Sequence, residues 1–109
     1  MKKLSHSANF EELFNSAVDK AMLLLEESGR QAIYYHIEKT FGLERNMWHK
    51  DVERFAETLE QIFGLGAELL LKAIVKELYS NLGLKFEEDE TFHFPRLVQR
   101  VKKGIRQKR

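Results

Sequence analysis

Residues 55–84 read FAETLEQIFGLGAELLLKAIVKELYSNLGL, and the spacing of their apolar residues decides the fold. In the first half, Phe55, Ala56, Leu59, Ile62 and Phe63 recur three and four residues apart, with Val52 one turn earlier. Glu53, Arg54, Glu57 and Glu60 fall outside that stripe. This is the period of a helix with one buried face, and it predicts a helix over about 51–63. In the second half, Leu69, Leu70, Leu71, Ala73, Ile74, Val75, Leu78, Tyr79 and Leu82 surround most of a helix over about 66–82. Only the strip around Glu68, Lys72 and Lys76 is polar. A helix apolar nearly all round is buried on several sides. This helix over about 66–82, helix 4 of the chain, is therefore expected either to be the central helix of a bundle or to meet a partner as well.

Between the two halves stands Gly64-Leu65-Gly66. Its Phe-Gly-Leu beginning repeats Phe41-Gly42-Leu43, and Leu82-Gly83-Leu84 is close to it. The flanking residues do not match, so no repeat is read. Each glycine is expected to end a helix in the left-handed conformation, with the following leucine folding back on the last turn.

Working outward, Phe10, Leu13, Phe14, Ala17, Val18, Ala21, Leu24 and Leu25 predict a first helix over about 10–28, with Asn9 able to cap it and Glu12 three residues on. Ser28-Gly29-Arg30-Gln31 has the form of a capping box. It predicts a second helix over 29–41, with Ile33, Ile37 and Phe41 on one face. Residues 43–50 show no period and read as a loop with a short turn of helix. After the acidic connector 84–91, Thr91 can cap a fifth helix over 92–104, whose apolar face is Phe94, Leu97, Val98 and Val101. Pro95 is tolerated there because it falls in the first turn. No strand pattern is present. The expectation is an all-α bundle of four to five helices in one domain, 10–104, between a flexible segment 1–9 and a basic tail 105–109.

The chain has 109 residues and no cysteine, so disulfides, thiolate metal sites and cysteine nucleophiles are excluded. The first ten residues, MKKLSHSANF, have no apolar run after the lysines and do not read as a signal peptide. The longest apolar stretch is broken by charges and is not a membrane span. A cytoplasmic protein is expected.

The net charge of +1 hides an uneven split. Residues 1–95 carry 11 basic and 17 acidic side chains, a balance of −6, while residues 96–109 carry seven basic and no acidic ones. Arg96, Arg100, Lys102, Lys103 and Arg106 are therefore candidate contacts for nucleic acid or another anion. The basic residues also suit the negative end of the last helix, and the acidic run 87–90 suits its start, without any ligand.

No motif names a reaction. His6, His36, His49 and His93 offer only isolated pairs, His49 with Glu53 and Glu90 with His93, whereas a metal site needs three or four ligands. There is no nucleophile elbow and no glycine-rich phosphate loop. Neither a catalytic residue nor a cofactor is assigned. The hairpin around Gly64–Gly66 has the short turn of a helix-turn-helix, but its second helix is too apolar to read bases. Arg30, Tyr34, Tyr35, His36 and Trp48 form a candidate partner or ligand surface, against the plainer reading that the tyrosines pack and Trp48 plugs the core.

The segment SGRQAIYYHIEKTFGL, 28–43, with the helix ends at Gly64 and Gly83, resembles a family of small archaeal output domains first catalogued among signalling proteins of Nitrosopumilus. The resemblance covers about 10–104. It implies a helical module, attached to sensor domains or standing alone, whose input here would come from a partner. It brings no catalytic residues. The expected function is a non-enzymatic helical interaction module, a homodimer or partner-bound through helix 4. The alternative is a nucleic-acid-associated regulator using the basic helix, and a small-ligand sensor near Tyr34, Tyr35, His36 and Trp48 is a third reading.

Overall fold

The computed structural model describes residues 10–86 and 92–107, with Arg106 and Gln107 described in the backbone alone. Among them are five α-helices and no strand: α1 Phe10–Ala21, α2 Glu27–Lys39, α3 Val52–Phe63, α4 Ala67–Asn81 and α5 Phe94–Gln107. Single 3-10 turns occupy Met22–Leu24, Arg45–Met47 and Gly64–Gly66. Asn9, Thr91, His6, the acidic run 87–90 with the Glu90–His93 pair, and Lys108 and Arg109 lie outside the described residues.

The centre of the bundle is α4. It packs most extensively on α1 and also against α3 and α5. Ala67, Leu70, Leu71, Ile74, Val75, Leu78 and Tyr79 are the side chains it buries. Each large apolar side chain taken out of water contributes about 1.5–3 kcal/mol, so the helix with the widest apolar surface takes the position with the most neighbours. Its circumference is not closed everywhere, because Leu69 remains 67 % exposed. On α1, Phe14, Ala17 and Val18 face the core, and Lys20 reaches Glu77 on α4 at 3.4 Å. Phe94, Leu97, Val98 and Val101 bury the inner face of α5 as their spacing predicts. In contrast, α2 is peripheral, and Ile37 is the one side chain of that helix that is fully buried.

Several boundaries differ from the sequence reading. The first helix ends at Ala21, and a 3-10 turn carries the chain to Leu25, where the backbone becomes extended. Met22 turns into the core while Leu23 and Leu24 turn out. The second helix then begins at Glu27. Ser28 and Gly29 sit inside its first turn, so the capping box is not formed. Arg30 closes the junction instead, its Nη1 donating to the Leu25 carbonyl at 3.2 Å. The fifth helix starts at Phe94, and His93 caps it: Nδ1 accepts from the Arg96 amide at 3.3 Å. Its helical backbone runs on to Gln107, past the expected boundary at 104.

The expected positive φ holds at all three glycines, but the left-handed helical cap does not hold at Gly64, and the leucines divide. Gly42, Gly64 and Gly83 all have positive φ. At Gly83 the Leu84 amide donates to the Tyr79 carbonyl at 2.8 Å and the Gly83 amide to Ser80 at 3.1 Å, the paired bonds of a Schellman motif. Leu43 folds back and is buried, whereas Leu84 is half-exposed. Leu65 does not fold back at all and is fully exposed. The reason is Gly64, whose φ of 62° and ψ of −132° belong to a sharp reversal of the type II′ kind rather than to the left-handed helical cap. The turn throws Leu65 outward.

Candidate functional site

The connector between α2 and α3 is built around Trp48. The indole is buried, and its Nε1–H donates to the Leu43 carbonyl at 3.0 Å. Tyr34 of α2 meets it edge-on, with ring centres 5.5 Å apart. Arg45 lies one 3-10 turn before Trp48. In that geometry residues three apart eclipse one another, so the guanidinium lands on the indole, 4.6 Å from its centre and 5.0 Å from that of Tyr34. Arg45 Nη2 also donates to Asp19 Oδ1 at 2.9 Å and to the Asn15 carbonyl at 3.0 Å. The Tyr34 hydroxyl donates to the same Asp19 oxygen at 2.7 Å. Burial raises the Tyr34 pKa well above the ordinary phenol value, and Asp19 adds to the rise through its hydrogen bond and its charge; Arg45 and Arg30 oppose it.

This arrangement sorts the expected partner surface. Tyr34 and Trp48 come together, and Tyr35 reaches the rim of the adjoining hollow of about 290 Å³ while remaining 65 % exposed. His36 stands apart, its ring 5.3 Å from that of Phe41, and Arg30 is engaged at the Leu25 carbonyl. Arg45 from the same chain lies over the rings of both Tyr34 and Trp48 and lines that hollow with them. Arg45 and Asp19 were not anticipated from the sequence. The Arg45-x-x-Trp48 spacing inside a short turn was the one local signal for them.

The last helix, α5, carries exposed charges. Arg96, Arg100 and Lys103 are exposed on one stripe, at spacings of four and three residues. Lys102 leaves that stripe and places its Nζ 5.4 Å over the Phe10 ring. Arg106 lies on the same helix. Beside α5, the exposed glutamates Glu53, Glu57 and Glu60 of α3, with Glu68 of α4, line a groove of about 440 Å³ together with His93 and Pro95. A second groove, of about 430 Å³, carries Glu53, His93 and Pro95 on to Arg96 and Gln99. The acidic and basic surfaces therefore meet at Glu53 and Arg96.

Comparison with protein-family models, curated proteins and solved structures finds no match. The functional reading thus rests on the side chains of this chain.

Two histidines beside these surfaces are engaged in the fold. His93 uses Nδ1 in the cap of α5. His49 packs beside Phe10 at 6.1 Å between ring centres, and burial lowers its pKa, with Glu11 opposing and Lys50 and Lys102 assisting. Among the described residues no three metal-ligating side chains converge. No helix there is long and apolar enough to cross a membrane.

Proposed function

We propose that the chain is a non-enzymatic helical interaction module acting in the cytoplasm, in keeping with its resemblance to archaeal signalling output domains. The observation that supports this reading is the end of the α3–α4 hairpin. Leu65 is 100 % exposed there and Leu69, four residues on, is exposed as well. Glu60 and Glu68 flank Leu65 in the hollow at this end. An apolar tip rimmed by acids suits a partner that offers an apolar pocket with basic neighbours. Covering both leucines would contribute about 1.5–3 kcal/mol each.

The test is affinity isolation from the source cells with the wild-type chain and with a Leu65→Ser, Leu69→Ser variant, followed by mass spectrometry. A protein retained by the wild type and lost by the variant is expected. Identical protein sets on both baits would count against the reading.

A second reading, a nucleic-acid-associated regulator, is favoured by the exposed stripe of Arg96, Arg100 and Lys103. Three cations of one stripe can neutralise phosphates. The glutamates beside that stripe repel the same phosphates, which makes this the weaker of the two.

A further inference from the structure

We infer that the paired acidic and basic stripes on α3 and α5 are a self-complementary surface whose occupant is a second copy of this chain. The inference starts from where the charges lie. Glu53, Glu57 and Glu60 are exposed along α3, and Arg96, Arg100 and Lys103 along α5. None of the six has an ion-pair partner among the described residues, whereas Lys20–Glu77, Arg45–Asp19 and Lys72–Glu68 pair elsewhere. The stripes are neighbours, because both grooves share Glu53, His93 and Pro95. They also lead away from each other. Of these two grooves, Glu57 and Glu60 line only the first, and Arg96 and Gln99, with Lys50 and Asp51, only the second.

A surface with a negative half and a positive half side by side has a specific symmetry property. A two-fold axis through the junction places each half of one copy on the opposite half of the other. Every attraction is then made twice, as in the isologous interfaces of cyclic dimers. A nucleic acid has no positive half to meet the glutamates, and a partner of one sign would be repelled by half of the surface. A second copy satisfies both halves. Because these are exposed pairs, the association is weak and salt-sensitive. It shares only Glu60 with the acid rim of the Leu65–Leu69 tip, and the Arg100→Glu, Lys103→Glu variant leaves that rim untouched, so its failure leaves that reading standing.

The test is sedimentation equilibrium of the full chain at about 20 mM and about 0.5 M salt. Two variants accompany it, Glu57→Lys with Glu60→Lys, and Arg100→Glu with Lys103→Glu. All four positions are exposed, and circular dichroism checks that each variant is folded. We expect a dimer at low salt that weakens by about tenfold or more at high salt, and each variant alone to be weakened by at least as much. An equal mixture of the two variants should regain association, since one then carries two basic halves and the other two acidic ones. This recovery separates surface pairing from any effect of net charge. A wild type that stays monomeric at low salt overturns the inference. So does a dimer indifferent to salt and to both reversals, or a mixture that fails to recover. Retention of a monomeric wild type on duplex DNA, lost in the Arg100→Glu, Lys103→Glu variant, would overturn it in favour of nucleic acid.

Discussion

The Arg45 guanidinium stands 4.6 Å above the indole of Trp48 and reaches Asp19 at 2.9 Å. One side chain thus fastens the connector to α1 while covering the aromatic plug that α2 leans on. Arg45→Ala should cost about 1–3 kcal/mol, from the lost cation–π contacts and charge-assisted hydrogen bonds. Arg45→Lys should recover only part of that, since an ammonium cannot lie flat on the ring. Urea unfolding of the three proteins measures both, and equal midpoints would show that the contacts contribute nothing net.

The turn at Gly64 makes a contrast between two leucines. Leu43 and Leu65 each follow a positive-φ glycine, yet one is buried and the other fully exposed. Leu43→Ala should cost about 2–5 kcal/mol, and Leu65→Ala should stay within about 0.5 kcal/mol. Gly64→Val should cost ~1–3 kcal/mol through the backbone alone, because nothing lies within 4 Å of a Cβ added there. Thermal unfolding separates the packing effects from the backbone one.

Tyr34 should remain protonated at a pH where an exposed tyrosine has ionised, since its pKa is raised by burial and by Asp19. A raised folded-state pKa means that the stabilisation is complete below the unfolded value of about 10 and is lost as pH rises towards the folded one. Ultraviolet titration of the wild type against Tyr34→Phe reads this directly. The variant should lack the latest-titrating tyrosine and lose less stability at high pH.

His49 works in the opposite direction. Burial lowers its pKa, so the stabilisation is present above the unfolded value of about 6.5 and is lost as pH falls through the lower folded one. His49→Gln should flatten the stability profile below about pH 6.5. Imidazole proton shifts in nuclear magnetic resonance should give His49 a midpoint below the ordinary histidine value, and a midpoint at or above it would refute the assignment.

What could be read from the residues follows from how local each signal is. The stripes on α3 and α5 and the breadth of α4 are short-range periodicities, and each placed its helix within a few residues. Positive φ at Gly42, Gly64 and Gly83 was equally legible, because a helix end constrains the residue that follows it. The junction at Leu25 was not. Leu24 and Leu25 continue the apolar spacing of α1, and Ser28 with Gln31 imitates a cap. The chain breaks earlier because the 3-10 turn lets Met22 fill the core. The Arg45 cluster was hidden for a related reason. Its carboxylate lies 26 residues away, and no local spacing reports a contact of that kind. The basic stripe was legible as composition, while its position beside the glutamates of α3 needed the packing of the two helices.

The pairing of α1 with α4 carries a consequence for synthesis of the chain. On a ribosome, α1 emerges well before the helix that covers most of its apolar face. Residues 22–66 lie between the end of α1 and the start of α4. At roughly 5–20 residues per second, Phe14, Ala17 and Val18 wait several seconds for their main cover. During that interval the nascent chain exposes an amphipathic helix whose natural neighbour has not been made. The main cover of α1 thus comes late, with α4, and Phe94 of α5, which meets Phe14 at 6.3 Å between ring centres, comes later still.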